Sequence, residues 1–148
     1  MPRSISPPCS ILSLDLTMNS FTGTIPESIY SCTNLTALRL SSNKLHGQLS
    51  ARISNLKYLS FLSLVDNSFT NITNALQILK SSRNLTTLLI GHNFMHMTMP
   101  EDETIVGFQN LQVLAIENCQ LFGKIPRWIS KFTNLEMLLL LTLKQDYL

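Results

Sequence analysis

One nine-residue pattern, LxxLxLxx followed by Asn or Cys with Ile standing for some Leu, constrains the fold of this 148-residue chain more than any other feature. It recurs as ILSLDLTMN (11–19), LTALRLSSN (35–43), LSFLSLVDN (59–67), LTTLLIGHN (85–93) and LQVLAIENC (111–119). The closing residues Asn19, Asn43, Asn67, Asn93 and Cys119 lie 24, 24, 26 and 26 positions apart. A sixth run, LEMLLL from Leu135, breaks off with Leu143 where Asn or Cys is expected. A unit of this length cannot bury its own apolar face. Stacked neighbours must supply the core, which makes the chain a solenoid.

The spacing within the unit gives its mechanics. In L-x-L the alternate residues Leu14 and Leu16, Leu38 and Leu40, Leu62 and Leu64, Leu88 and Ile90, Leu114 and Ile116 point to one side of a short strand. Stacked coils then pair these strands in parallel, about 4.8 Å apart. The Asn closing each run sits where the chain turns inward, and its amide offers donors and an acceptor to backbone groups leaving the ladder. Cys119 is a smaller, weaker substitute. After Asn19, Asn43 and Cys119 come SFTGTIPESIYSC, KLHGQLSARIS and QLFGKIPRWIS. Gly23, Gly47 and Gly123 supply turns there, while Pro26 and Pro126 forbid a continuing helix or central strand. Ile29, Ile53 and Ile129 are expected to face the core from the convex side. Met95 aligns with Phe21, Leu45, Phe69 and Leu121, and Met99 with Ile25 and Ile125, so both are assigned to the core rather than to a soft-metal cluster with His92 and His96. ITNALQIL (72–79) replaces the Gly-x-Ile-Pro element and reads as a convex helix.

This is the repeat pattern LxxLxLxxNxxxGxIPxxI, and from Ile11 to Leu140 the chain resembles the plant-specific extracellular leucine-rich repeats. The fold expected is a right-handed leucine-rich-repeat solenoid of α/β repeat class, with a short parallel β-sheet on the concave face and 3-10 or short helices on the convex face. Residues 1–10 are expected to form a non-repeat segment, 11–143 the repeat domain and 144–148 a tail. The longer units TNITNALQILKSSRNLTTLLIGHNF (70–94) and MPEDETIVGFQNLQVLAIENC (99–119) are similar to the ectodomains of tyrosine-sulfated-peptide, phytosulfokine-type receptors. That resemblance implies a recognition module at the outer face of the plasma membrane, with a peptide or protein ligand or a co-receptor as partner. Two rivals share the pattern: an inhibitor of an extracellular wall-degrading enzyme, and a truncated decoy or non-functional product. The caps of the family, a pair of cysteines before the first repeat among them, are not apparent, so the ends are expected to self-associate.

Composition narrows the function further. Eleven Lys and Arg against nine Asp and Glu, with only 14% of residues charged where about 25% is ordinary, speak against a nucleic-acid or polybasic membrane footprint. The longest apolar run, Met137 to Leu141, is far below the roughly 20 residues of a spanning helix. The first residues lack the apolar stretch of a signal peptide, so the short form is expected to stay inside the cell. Cys9, Cys32 and Cys119 are too scattered to suggest a disulfide framework or a zinc site. No Ser or Cys converges with His and carboxylate, and no glycine-rich phosphate loop occurs, so neither catalysis nor a cofactor is expected.

Side chains facing solvent from successive strands are the natural binding surface of a solenoid. They are Asp15, Thr17, Arg39, Ser41, Ser63, Val65, Leu89, Gly91, Ala115 and Glu117, flanked by Met18, Ser42, Asp66, His92 and Asn118. The candidate ligand contacts are Asp15, Thr17, Arg39, Ser41, Ser63, Asp66, His92 and Glu117. Arg39 is the only fixed cation among them, whereas a sulfated tyrosine calls for several Arg or Lys donors. Glu101, Asp102 and Glu103 read as a solvated loop. Asn34, Asn71 and Asn84 open N-x-Thr sequons and are candidate glycan carriers.

Overall fold

The computed structural model describes residues 8–141. The expected tail, Leu143 and most of the segment 1–10 lie outside the described residues. In chain order the elements are β1 (Ser13–Asp15), β2 (Thr22–Gly23), β3 (Ala37–Arg39), β4 (Lys44–Gln48), β5 (Phe61–Ser63), β6 (Ser68–Thr70), helix α1 (Ile72–Leu79), β7 (Thr87–Leu89), β8 (Val113–Ala115) and β9 (Met137–Leu139). Short 3-10 turns occupy Glu27–Ser31, Ala51–Asn55 and Arg127–Lys131.

Every L-x-L motif becomes one strand of a six-stranded parallel sheet ordered β1-β3-β5-β7-β8-β9. Register follows the repeat: Leu14 sits opposite Leu38, Leu38 opposite Leu62, Leu62 opposite Leu88, Leu88 opposite Leu114, and Leu114 opposite Leu138. Leu38, Leu62, Leu88 and Leu114 are fully buried. A one-residue slip would carry this whole leucine row to the open face, which is why pairing is so strongly specified. A second parallel ribbon, β2-β4-β6, runs where the chain turns away from the sheet.

The convex wall closes the core. Ile53 is fully buried and Ile29 nearly so, while Ile129 is only half-buried because Trp128 takes the inward place, donating from Nε1 to Pro100 O at 2.8 Å. In the third unit α1 replaces the 3-10 turn. Ile72, Ala75, Leu76 and Leu79 form its inward stripe, at the spacing of one helix face. Asn71 caps it from a left-handed conformation (φ 59°), its Oδ1 accepting from Asn74 N at 3.0 Å.

Three sequence expectations change here. Cys9 and Cys32 form a disulfide with Cα atoms 4.7 Å apart. Spacing along the chain hid it, because positions about one period apart are neighbours in a stacked coil, and these two cysteines are 23 apart. Met95 is 45% exposed rather than core. The fourth unit is two residues longer and takes up the extra length just after Asn93, so Phe94 folds inward (φ 52°) and Met97 packs against the core. Met99 is buried as expected. Ile125 is 68% exposed and Phe21 nearly half-exposed, because each lies in an outermost described coil with no further coil over it.

Candidate binding face

The asparagines at the strand ends fix the shape of the open face. Asn43 Nδ2 donates to Leu16 O of the preceding coil at 2.9 Å and to Leu40 O at 3.0 Å, while its Oδ1 accepts from Phe21 N. Asn67 repeats this with Leu40 O, Leu64 O and Leu45 N. Asn93, fully buried, does so with Leu64 O, Gly91 O and Phe69 N. Cys119 substitutes weakly, its Sγ 3.8 Å from Ile90 O and 3.4 Å from Glu117 O, and burial pushes its thiol pKa up. Among the described residues Asn19 reaches only carbonyls of its own turn. The bonds from Asn43, Asn67 and Asn93 to a carbonyl of the preceding coil join one coil to the next, so the sheet is held as a fixed surface.

On that surface the polar candidates largely occupy one another. Asp15 accepts from Thr17 N at 2.9 Å, and the Thr17 hydroxyl and amide hold its carboxyl below the usual range. Arg39 lies over the Phe61 ring, 4.4 Å from its centroid, and reaches Ser13 Oγ. Such stacking of a guanidinium on a ring face stabilises the cation in place. Ser41 and Ser63 share a short hydroxyl–hydroxyl hydrogen bond, and Ser63, expected to face solvent, is only 6% exposed because neighbouring strands crowd it. His92 Nε2 meets Asn118 Nδ2 at 3.1 Å, and Asp66 is exposed beside them at the sheet's margin. Glu117 lies across Gly91: a Cβ at Gly91 would come within 2.6 Å of Glu117 Cγ and 2.9 Å of its carbonyl oxygen.

The structure adds a row of face residues. Ser13, Ala37, Phe61, Thr87, Val113 and Met137 precede the inward leucine of each strand and therefore share the outward side with Asp15, Arg39, Ser63, Leu89, Ala115 and Leu139. The signal is in the alternation itself, since the residue before an inward leucine points out as surely as the one after it. Together the rows divide the face. The β1–β3 half is polar, and the β7–β9 half presents Leu89, Val113, Met137 and Leu139, with Ala115 on the same side but only 3% exposed. Among the described residues no group of three His, Cys, Asp or Glu side chains could hold a metal ion, and no helix is long and apolar enough to cross a membrane.

The loop after Met99 is pinned to α1. Asp102 accepts from Thr104 N and Oγ1 at 2.8 and 2.6 Å, Gln77 Nε2 donates to Asp102 and Thr104, and Lys80 Nζ donates to Thr104 O at 3.0 Å. Glu101 and Glu103 remain exposed, so solvation describes those two and not Asp102.

A parallel sheet of one strand per coil, tied by strand-end asparagines and closed by short convex turns, defines a leucine-rich-repeat protein, and this chain is one. The family model described as Leucine Rich Repeat matches residues 10–32, 34–56 and 110–132, leaving out the stretch that holds α1 and the pinned loop. The chain is 47% identical over 132 residues to Receptor-like protein 3 of Arabidopsis thaliana, an alignment covering 87% of this chain and 18% of that relative. It is 42% identical over 84 residues to Phytosulfokine receptor 1 of the same plant, covering 57% of this chain and 8% of the receptor. Among solved structures, the plant peptide hormone receptor RGFR1 in complex with RGF2 matches with a TM-score of 0.77 and 32% identity, over 91% of this chain and 21% of that one. The chain thus spans less than a fifth of the length of these curated relatives.

Proposed function

We propose that the concave sheet is a recognition face for an extended peptide or protein segment, in the ectodomain of a plant cell-surface receptor. The observation that carries this is the apolar half of the face. Parallel sheets are ordinarily covered on both sides, yet Leu89, Val113, Met137 and Leu139 stand outward on one that no described element covers. The partner's side of the contact is therefore apolar, with a polar flank toward Ser41, Ser63 and Asp15. Arg39, engaged by Phe61, Ser13 and Asp15, is a poor sulfate receptor on its own. The Cys9–Cys32 link suits an oxidising compartment, as an outer-surface location requires. The role is binding rather than catalysis, with Asp66, His92 and Glu117 at the margin setting selectivity.

The test is a panel of synthetic secreted-type peptides, apolar and sulfated, titrated against the oxidised chain. Leu89→Arg and Met137→Arg would block the face, and Ser130→Arg on the convex side is the control. Binders lost in the face variants and kept in the control support the proposal. Binders equally sensitive to the convex change, or confined to sulfated peptides and indifferent to Leu89, would overturn it.

A further inference from the structure

On the flank between the second and third coils lies a groove of about 470 Å³, lined by Ser54, Leu56, Lys57, Ser81, Ser82, Arg83 and Asn84. It lies well away from the apolar half of the sheet, and nothing in the proposed recognition uses it. Asn84 opens the sequon Asn84-Leu85-Thr86 and is exposed at the rim. One of its two amide hydrogens is committed, donated to Lys57 O at 2.7 Å. Asn110 and Asn134 make the same bond to Arg83 O and Gln109 O, so this orientation is imposed by the stacking of coils. A glycan replaces only the other hydrogen. The sugar therefore leaves Asn84 in a direction set by the bond to Lys57 O.

The groove has the character of a sugar seat. Ser82 is only 9% exposed and lines the groove beside Asn84. The stems of Lys57 and Arg83 offer apolar surface over the buried Leu56, while the two cationic heads and the serine hydroxyls suit the N-acetyl carbonyl and ring hydroxyls of N-acetylglucosamine. The other two sequons lack such a setting. Asn71 is the N-cap of α1 and donates to Gln48 Oε1, and Asn34 is not part of this groove's lining.

We infer that Asn84 carries an N-linked glycan whose first N-acetylglucosamine packs into this groove and leaves the concave face open. The inference rests on the outer-surface reading, in that the chain must pass through the secretory pathway. The experiment uses the full chain behind a heterologous secretion signal in plant cells. Glycopeptide mapping reads occupancy at all three sequons. Next, in an Asn34→Gln/Asn71→Gln background, the glycan is trimmed to one sugar and the melt compared with the same disulfide-bonded chain made without glycosylation. Occupancy at Asn84 and a melting temperature higher by roughly 2–4 °C are expected, with the gain reduced by Ser82→Val. A secreted chain glycosylated at Asn34 or Asn71 but not at Asn84 overturns the inference and leaves the receptor reading standing. A single-sugar chain that melts like the sugar-free one overturns the seat.

Discussion

Asn93 and Asn19 hold the same station in the repeat yet differ in what they touch. Asn93 is fully buried, joins two coils and satisfies the amide of Phe69, whereas Asn19 is exposed and, among the described residues, bonds only within its own turn. Removing a buried partner strands backbone groups without water, at about 1–3 kcal/mol for each group left unpaired. Asn93→Ala should therefore destabilise by roughly 2–4 kcal/mol and Asn19→Ala by less than about 1 kcal/mol. Urea unfolding at constant m separates the two, and equal midpoint shifts would contradict the ladder's coil-to-coil role. At this scale the sequence is most legible, because a residue that recurs at one station declares a shared backbone task. Cys9 and Cys32 are the counterexample. Cysteine patterns are judged by proximity along the chain, but in a coil about one period is the short distance through space, so a separation of 23 should be weighed as a contact.

Among the elements, regular strands follow from the pattern and the longer third and fourth units follow only in part. The inward stripe of α1 is visible in ITNALQIL. Its fastening to the loop is not, since Gln77, Lys80, Asp102 and Thr104 meet across 24 to 27 positions with no repeated motif to announce it. Gly107 marks the join. At φ 127° a Cβ there would lie 2.6 Å from Lys80 O, the acceptor of the Phe108 amide. Gly107→Ala should cost about 1–3 kcal/mol through strain and the displaced bond, with loss of amide protection at Phe108 as the specific readout. Asp102 gives the loop a pH dependence. Hydrogen bonds from Thr104 hold its carboxyl below the ordinary value, so the ionised form fastens the loop. The fastening is complete above the ordinary Asp range near pH ~4 and is lost as the pH falls through the lowered folded value. The Thr104 amide resonance should titrate below that range in the parent and stay flat in Asp102→Asn. A parent titrating at the ordinary value would refute the anchoring.

At the scale of the described stack as a whole, the decisive feature is that it has two outermost coils. Stability is a sum of coil and interface terms, so an outermost coil gains from one neighbour where an inner coil gains from two. At one described end Ile11, Leu12 and Phe21 are exposed, with the Cys9–Cys32 link as covalent compensation that closes a loop about one coil long and contributes roughly 2–4 kcal/mol. At the other described end Ile125, Met137 and Leu139 are exposed, and β9 is the last described strand of the sheet. A flat apolar strand edge is a template for pairing with another chain. The two ends differ, so the contact that covers both is heterologous and does not close on itself. Purified alone and oxidised, the 148-residue chain should therefore show a sedimentation coefficient that rises with concentration. Ile125→Lys, which puts charge on the exposed end without touching the leucine row, should return it toward the monomer. Reduction should act elsewhere, lowering the melting temperature through the first coil while leaving association at the β9 end. A chain that sediments as one species at all concentrations, with Ile125→Lys unchanged from the parent, would mean that the exposed end is not a pairing surface.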